Sequence, residues 1–182
     1  MTVFFDVLVA HDNEYGIGID NQLAWNIPED MSFFRELTSR TTCSDKKNIV
    51  FMGRKTYESI PKKFRPLANR INIVLTRSQS WNDEGVIVKN NIEDLLMFSE
   101  MMVKENKVDH IYCIGGKEIY ERMLKHPSCR RLYVTHVYGN FKCNVFLENY
   151  FNMFREIHAR DTLVSKEKQI SYQFKTYLNN NY

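Results

Sequence analysis

HIYCIGGKEIYERMLKHPSCRRLYVTHVY, residues 110–138, holds the pattern on which the fold turns. HIYCI (110–114) is an apolar run of strand length closed by Gly115-Gly116, and LYVTHVY (132–138) is a second, rich in β-branched and aromatic residues. Between them, Lys117 to Lys125 reads as a helix. A strand, a helix and a strand in close succession is a crossover, the connection that parallel neighbours require.

The same alternation extends toward the N-terminus. VFFDVLVA (3–10), NIVFM (48–52) and INIVL (71–75) are further apolar runs of strand length. Helices are expected from Pro28 to Leu37, opened by a helix-starting proline, and after Asn91, where Ile92, Leu95, Leu96, Ser99 and Val103 share one face. Toward the C-terminus the pattern changes. Phe154 to Arg160 and Ile170 to Leu178 alternate residue by residue around the polar link SKEKQ, which predicts an antiparallel hairpin closing the sheet. Neither an internal repeat nor an interdomain linker interrupts this, so residues 1–182 are expected to form one α/β domain.

A chain of 182 residues can bury roughly two-thirds of its unfolded surface and needs no disulfide or metal staple. Lys plus Arg exceed Asp plus Glu by only 25 − 22 = 3, too small and scattered an excess for a nucleic-acid footprint. The pairs Lys46-Lys47 and Lys62-Lys63 are expected on solvated loops. Cys43, Cys113, Cys129 and Cys143 form no C-x-x-C pair, and Cys113 within HIYCI is expected to be a buried thiol, which fits a reducing cytosol. The opening segment contains an acid in its apolar stretch, and no run approaches the length of a membrane span. A soluble, untargeted, cytoplasmic monomer is the resulting expectation.

Ligands of open α/β sheets gather where strand ends pass into helix N-termini. Three such ends stand out: Gly53-Arg54-Lys55-Thr56, Thr76-Arg77-Ser78 after Leu75, and Gly115-Gly116. Glycines admit a pyrophosphate, hydroxyls and amides donate to it, and two arginines favour NADPH over NADH. A Gly-Gly after a strand is by itself commonly a tight turn, so the joint placement carries the reading. Gly16-Ile17-Gly18 resembles the start of G-x-G-x-x-G, but Asn21 stands at the third glycine position, and the segment reads as a mobile loop leading to Trp25. The Walker pattern and the G-x-S-x-G elbow are missing, and no histidine pair has metal-ligand spacing.

NIPEDMSFFREL (26–37), turned through about 100° per residue, places Ile27, Asp30, Met31, Phe34 and Leu37 on one stripe. Glu29, Ser32 and Glu36 fall opposite, making Glu29 a solvated acid and Asp30 an inward one. A carboxylate favours any first helical turn, but that effect works equally well from the exposed face. Among apolar neighbours a carboxylate is costly unless a ligand or partner satisfies it.

Taken in order, VLVAHDNEYGIGIDNQLAWNIPEDMSFF, IVFMGRKTYESIPKKFRPLANRINIVLTR, IYCIGGKEIYERML and LYVTH resemble the successive signature blocks of dihydrofolate reductases. The resemblance spans most of the chain. It implies an eight-stranded, mainly parallel sheet with flanking helices and an antiparallel C-terminal strand. It also implies NADPH-dependent hydride transfer to the pterin of dihydrofolate, with the adjacent nitrogen protonated through water. Asp30 matches the acid that grips the pterin, Thr135 the hydroxyl supporting it, and Trp25 the indole beside it. Leu8, Val9, Met31, Phe34, Arg35, Ile60, Phe64, Leu67, Ile114 and Tyr120 match positions around the substrate, and Arg70 the arginine for its glutamate carboxylate. On the cofactor side the matches are Ala10, Ile17, Gly18 and Asp20 near the nicotinamide, and Gly53, Arg54, Lys55, Thr56, Leu75, Thr76, Arg77 and Ser78 along the adenosine phosphates. Gly115, Gly116, Lys117, Glu118, Ile119 and Tyr120 match the pyrophosphate end.

Three departures from the family pattern carry expectations of their own. Ala24 replaces the proline common before the tryptophan, which loosens the loop. Asn144 stands where an acid can latch that loop, and Lys117 and Glu118 stand where small residues are usual. The competing readings are a riboflavin-pathway reductase on the same fold, disfavoured by Asp30 with Arg70, and a non-catalytic folate- or nucleotide-binding module.

Overall fold

The computed structural model describes residues 3–150 and 152–182. In chain order they form β1 (Phe5–His11), β2 (Gly16–Gly18), α1 (Pro28–Ser39), β3 (Lys47–Gly53), α2 (Arg54–Ser59) and a 3-10 turn (Lys62–Phe64). There follow β4 (Arg70–Leu75), β5 (Val86–Lys89), α3 (Ile92–Lys104), β6 (Val108–Cys113) and α4 (Lys117–Leu124). The chain closes with β7 (Cys129–Val137), β8 (Val145–Phe146), β9 (Phe154–Ala159), β10 (Leu163–Val164) and β11 (Ser171–Asn179).

The main sheet runs β10-β11-β7-β1-β6-β3-β4-β5, with β9 also on β11. Every ladder from β7 to β5 is parallel, and β11 is antiparallel to β7. Among the described residues the sheet counts nine strands rather than the expected eight. The ninth arises because β9 and β10 share one position: both pair antiparallel with β11, β10 at Ser171 and Tyr172 and β9 from Lys175 onward. The expected terminal hairpin is thus present with its outer strand broken at 160–162.

Strands covered on both faces explain the near-continuous apolar runs. In β3, Ile49 and Phe51 pack with Val7, Ile73, Leu95 and Leu132 on one side. Val50 and Met52 pack with Leu8, Val74 and Tyr112 on the other, against Phe34 and Leu37 of α1. Asn91 caps α3, its side chain accepting from the Asp94 N–H. Asn48 closes α1, donating to the Thr38 and Arg40 carbonyls while accepting from the His110 N–H. Cys113 is fully buried, and all four cysteines are free. No helix among the described residues is long and apolar enough to cross a membrane.

Candidate active site

Proline at the start of α1 places Asp30 in the first turn, over the carboxyl ends of β1 and β7. Asp30 is 5% exposed, and the Thr135 hydroxyl donates to its Oδ1 at 2.6 Å. Burial pushes the carboxyl from 3.8 up to about 6, and the Thr135 bond pulls against that rise. Thr135 itself is fixed by the parallel ladder, opposite Ala10.

One side chain of α1 departs from the helical-stripe reading, and Glu29 keeps to the surface but gains partners there. Met31, expected inward, is 44% exposed, while Phe34 and Leu37 further along the stripe pack inward. Glu29, expected to be solvated, accepts from the Ser165 hydroxyl at 3.3 Å and the Lys166 N–H at 3.2 Å. Its own backbone N–H, then the Lys166 and Ser165 bonds from the turn after β10, lower its pKa.

The cleft beside Asp30 is walled by Leu8, Leu67 and Ile114, with Phe34 and Ile60 packed against them. Val9 is buried in the neighbouring core, Arg35 is exposed, and Phe64 stands at the rim, 57% exposed. Asn72 holds the wall in register: its amide accepts from the Leu67 N–H and donates to the Leu67 and Arg70 carbonyls. Arg70 is half-buried rather than a plain surface charge. Its Nη1 donates to Thr38 Oγ1 at 2.7 Å, its Nε donates to the Ala68 carbonyl, and the guanidinium lies 5.9 Å from the Phe34 ring centre. Burial, then the nearby Arg35 charge, draws its pKa down, an environment that an anion would relieve.

Three neighbouring strands, β6, β3 and β4, end side by side at the opposite wall. Helices α2 and α4 begin there at Gly53 and Gly116, neither with a capping side chain, so their first N–H groups remain available. The Gly53 N–H donates to the Gly115 carbonyl at 2.8 Å. Gly115 has φ +112, and a Cβ on it would lie 2.9 Å from the Tyr120 ring; a Cβ on Gly116 would lie 2.8 Å from Thr56 Oγ1. Ile119 lines the same floor, 3.6 Å from a Cβ built on Gly53. Thr76 Oγ1 accepts from the Ser78 N–H, next to the exposed Arg77 and buried Leu75. Arg54 lies 3.8 Å from Glu58, Lys55 is exposed, and Lys117 pairs with Glu121 at 3.7 Å beside the exposed Glu118. A backbone cradle too tight for side chains at Gly115 and Gly116, edged with cations and hydroxyls, fits a dinucleotide phosphate chain. Tyr120 enters this cradle only as a backing ring: its hydroxyl donates to the Leu8 carbonyl at 2.7 Å, and burial holds its pKa well above the ordinary value.

The segment from 12 to 26 closes the third side. Gly16–Gly18, expected as loop, is strand β2 and pairs with β8. Ile17 packs against the core. Trp25 is buried edge-on to Phe141 at 5.4 Å, and its Nε1 has no hydrogen-bond partner among the described residues. That buried donor is left unsatisfied by the protein itself. The expected loss of a latch at Asn144 is corrected. Asn144 accepts from the Asp20 N–H at 3.2 Å and donates to Asp20 Oδ1 at 2.9 Å, because the acid stands on the loop itself and the amide meets it from the other side.

A family model of dihydrofolate reductase matches residues 4–179. This chain belongs to the dihydrofolate reductase family. Members of that family are NADPH-dependent oxidoreductases. The chain is 35% identical to a dihydrofolate reductase of Drosophila melanogaster over 176 residues, covering 94% of this chain and 95% of that one. It is 40% identical over 146 residues to a bifunctional dihydrofolate reductase-thymidylate synthase of Arabidopsis thaliana, covering 79% of this chain and 26% of the relative. The corresponding enzyme of Glycine max is 35% identical over 178 residues, with 96% and 33% covered. The chain thus spans only a quarter to a third of its bifunctional relatives. Asp12, Thr38 and Asn72, which hold their neighbours by hydrogen bonds here, were not singled out from the sequence. Asp12-Asn13 immediately after a strand is the turn signal that could have drawn attention to the first.

Proposed function

We propose that this chain, as one domain over residues 1–182, reduces dihydrofolate to tetrahydrofolate with NADPH. The observation that carries the reading is the buried Asp30–Thr135 pair together with the glycine cradle, which Tyr120 ties to β1 by backing Gly115 with its ring and donating its hydroxyl to the Leu8 carbonyl. Asp30 offers its carboxylate to the pterin's amino and amide-like edge, and two parallel charge-assisted bonds fix the ring face. Thr135 holds that carboxylate in place. Met31, Phe34, Ile60, Leu67 and Ile114 take the apolar body of the substrate, with Arg70 and Arg35 at the glutamate end.

Gly53, Gly115 and Gly116 offer backbone to the pyrophosphate, while Arg54, Lys55, Thr56, Arg77 and Ser78 hold the outer phosphates. When bound, NADPH supplies the hydride. The residues around it align the rings and exclude water, the loop through Ile17, Gly18 and Asp20 acting as cover. Because Asp30 bonds the far edge of the ring, the proton reaches the reacting nitrogen through water. The reading includes a cytoplasmic monomer acting in one-carbon metabolism, without nucleic-acid or membrane partners, and an antifolate-sensitive site.

One absorbance assay tests it: NADPH is expected to be consumed only when dihydrofolate is added. Binding of both ligands without turnover would favour the binding module, and turnover of an aminopyrimidine ribotide the riboflavin-pathway reductase. Arg70→Ala is expected to raise the KM for dihydrofolate about 10- to 100-fold, the worth of a hydrogen bond to a charged group, with kcat changed far less. Thr38→Val, which replaces the hydroxyl that accepts from Arg70 and donates to the Phe34 carbonyl, is expected to produce a smaller rise in the same direction; unchanged KM in both variants would remove Arg70 from the substrate site.

A further inference from the structure

Asp12 is the residue on which the covering loop hangs. Its side chain is 1% exposed, directly after β1, and meets no cation among the described residues. Oδ1 accepts from the Glu14 N–H at 2.9 Å and the Gly16 N–H at 2.8 Å; Oδ2 accepts from the Phe141 N–H at 3.3 Å. A carboxylate can accept from both sides at once, which no neutral side chain of this size does. One oxygen therefore shapes the loop leaving β1, and the other ties it to the connection between β7 and β8.

The surroundings hold that geometry. The Asp12 N–H donates to the Gly16 carbonyl at 2.9 Å, and the Asp12 carbonyl accepts from the Tyr15 N–H. The same carbonyl lies 2.7 Å from His11 Nδ1, and since a carbonyl only accepts, Nδ1 carries the proton and Nε2 accepts from the Tyr150 hydroxyl at 2.7 Å. A Cβ on Gly16 would lie 2.5 Å from Cys143 Cβ and 2.9 Å from Asp12 Oδ1, so the loop base closes too tightly for a side chain at that position. Beyond the tie, Phe141 packs edge-on against Trp25.

We propose that Asp12 is a positioning residue for the reaction: by joining the loop base to Phe141 it sets where Ile17, Gly18 and Trp25 stand in the cleft. Asp12 touches neither ligand site itself, and the assignment rests on the reductase reading above.

The test compares wild type, Asp12→Asn and Asp12→Ala by amide hydrogen exchange and by the single-turnover rate of NADPH oxidation with dihydrofolate. In Asp12→Ala, exchange from Glu14 to Gln22 is expected to rise about 10-fold or more while β3 amides follow only global stability. The single-turnover rate is expected to fall on the order of 10-fold from misalignment, with equilibrium dihydrofolate binding nearly unchanged. Asp12→Asn keeps one accepting oxygen but sets its NH2 against the Phe141 N–H, so it is expected to fall between the two. Loop exchange that merely tracks β3 in both variants, or an unchanged single-turnover rate, overturns the assignment. A wild type without turnover whose loop exchange still depends on Asp12 sinks the reductase reading, and with it any role for Asp12 beyond anchoring a loop.

Discussion

Asp30→Asn is expected to slow hydride transfer by on the order of 10²-fold or more at neutral pH while making the ligand-free protein more stable. The two effects have one origin. The wild-type carboxyl is raised from 3.8 to about 6 by burial, so above pH 6 the folded protein carries a charge that is more comfortable in the unfolded chain. Between those values the folded state binds more protons than the unfolded one, and stability falls as pH rises. About two pK units correspond to about 3 kcal/mol lost at pH 8, shrinking to about half at pH 5 and to nothing below the ordinary carboxylate range.

Asparagine removes the charge but brings two N–H donors, whose incomplete satisfaction costs about 1–2 kcal/mol. The net gain is then about 1–2 kcal/mol at pH 8 and close to zero at pH 5. Asp6 and His11, both buried and titrating, are common to the two proteins and cancel in the comparison. Urea unfolding at the two pH values, beside stopped-flow hydride transfer, checks both effects. A variant less stable than wild type at pH 8 would mean that Asp30 belongs to the fold rather than to a ligand.

That inward acid was legible because helical periodicity is a local property: 100° per residue separates Asp30 from Glu29 without knowledge of the sheet. The strands at NIVFM, INIVL and HIYCI were legible for a similar reason, since burial on both faces leaves unbroken apolar runs. Strand β5 was not. Its four residues VIVK are half-buried at the sheet edge and carry too short a signal. Glu29, Asn72 and Asp12 escaped because their partners lie elsewhere in the chain or in turns whose geometry follows tertiary packing. Asn144 failed in the instructive direction: substitution at one position looked like loss of a contact, whereas the contact had its acid on the opposite loop at Asp20. A pairwise bond cannot be judged from one member.

The glycine cradle supplies the other large expected effect, and it separates fold from binding within two adjacent residues. Gly115→Ala places a Cβ at φ +112, a region costing L residues about 1–3 kcal/mol. The same Cβ lies 2.9 Å from Tyr120, whose buried ring cannot retreat without giving up the hydroxyl bond to Leu8, worth about 1 kcal/mol more. Together these predict a loss of about 3 kcal/mol, or a fall in Tm of roughly 10 °C for a chain of this size, along with NADPH binding. Gly116 has φ −87, an ordinary value, and its Cβ would meet only the Thr56 hydroxyl, which can rotate away. Gly116→Ala is therefore expected to leave Tm within a few degrees while weakening NADPH binding about 10-fold or more, because its methyl group intrudes on the backbone that the pyrophosphate must approach. Calorimetry with NADPH titration of both variants decides the matter. If Gly116→Ala binds NADPH as wild type does, the phosphate chain runs elsewhere, and the three strand ends lose their assigned ligand.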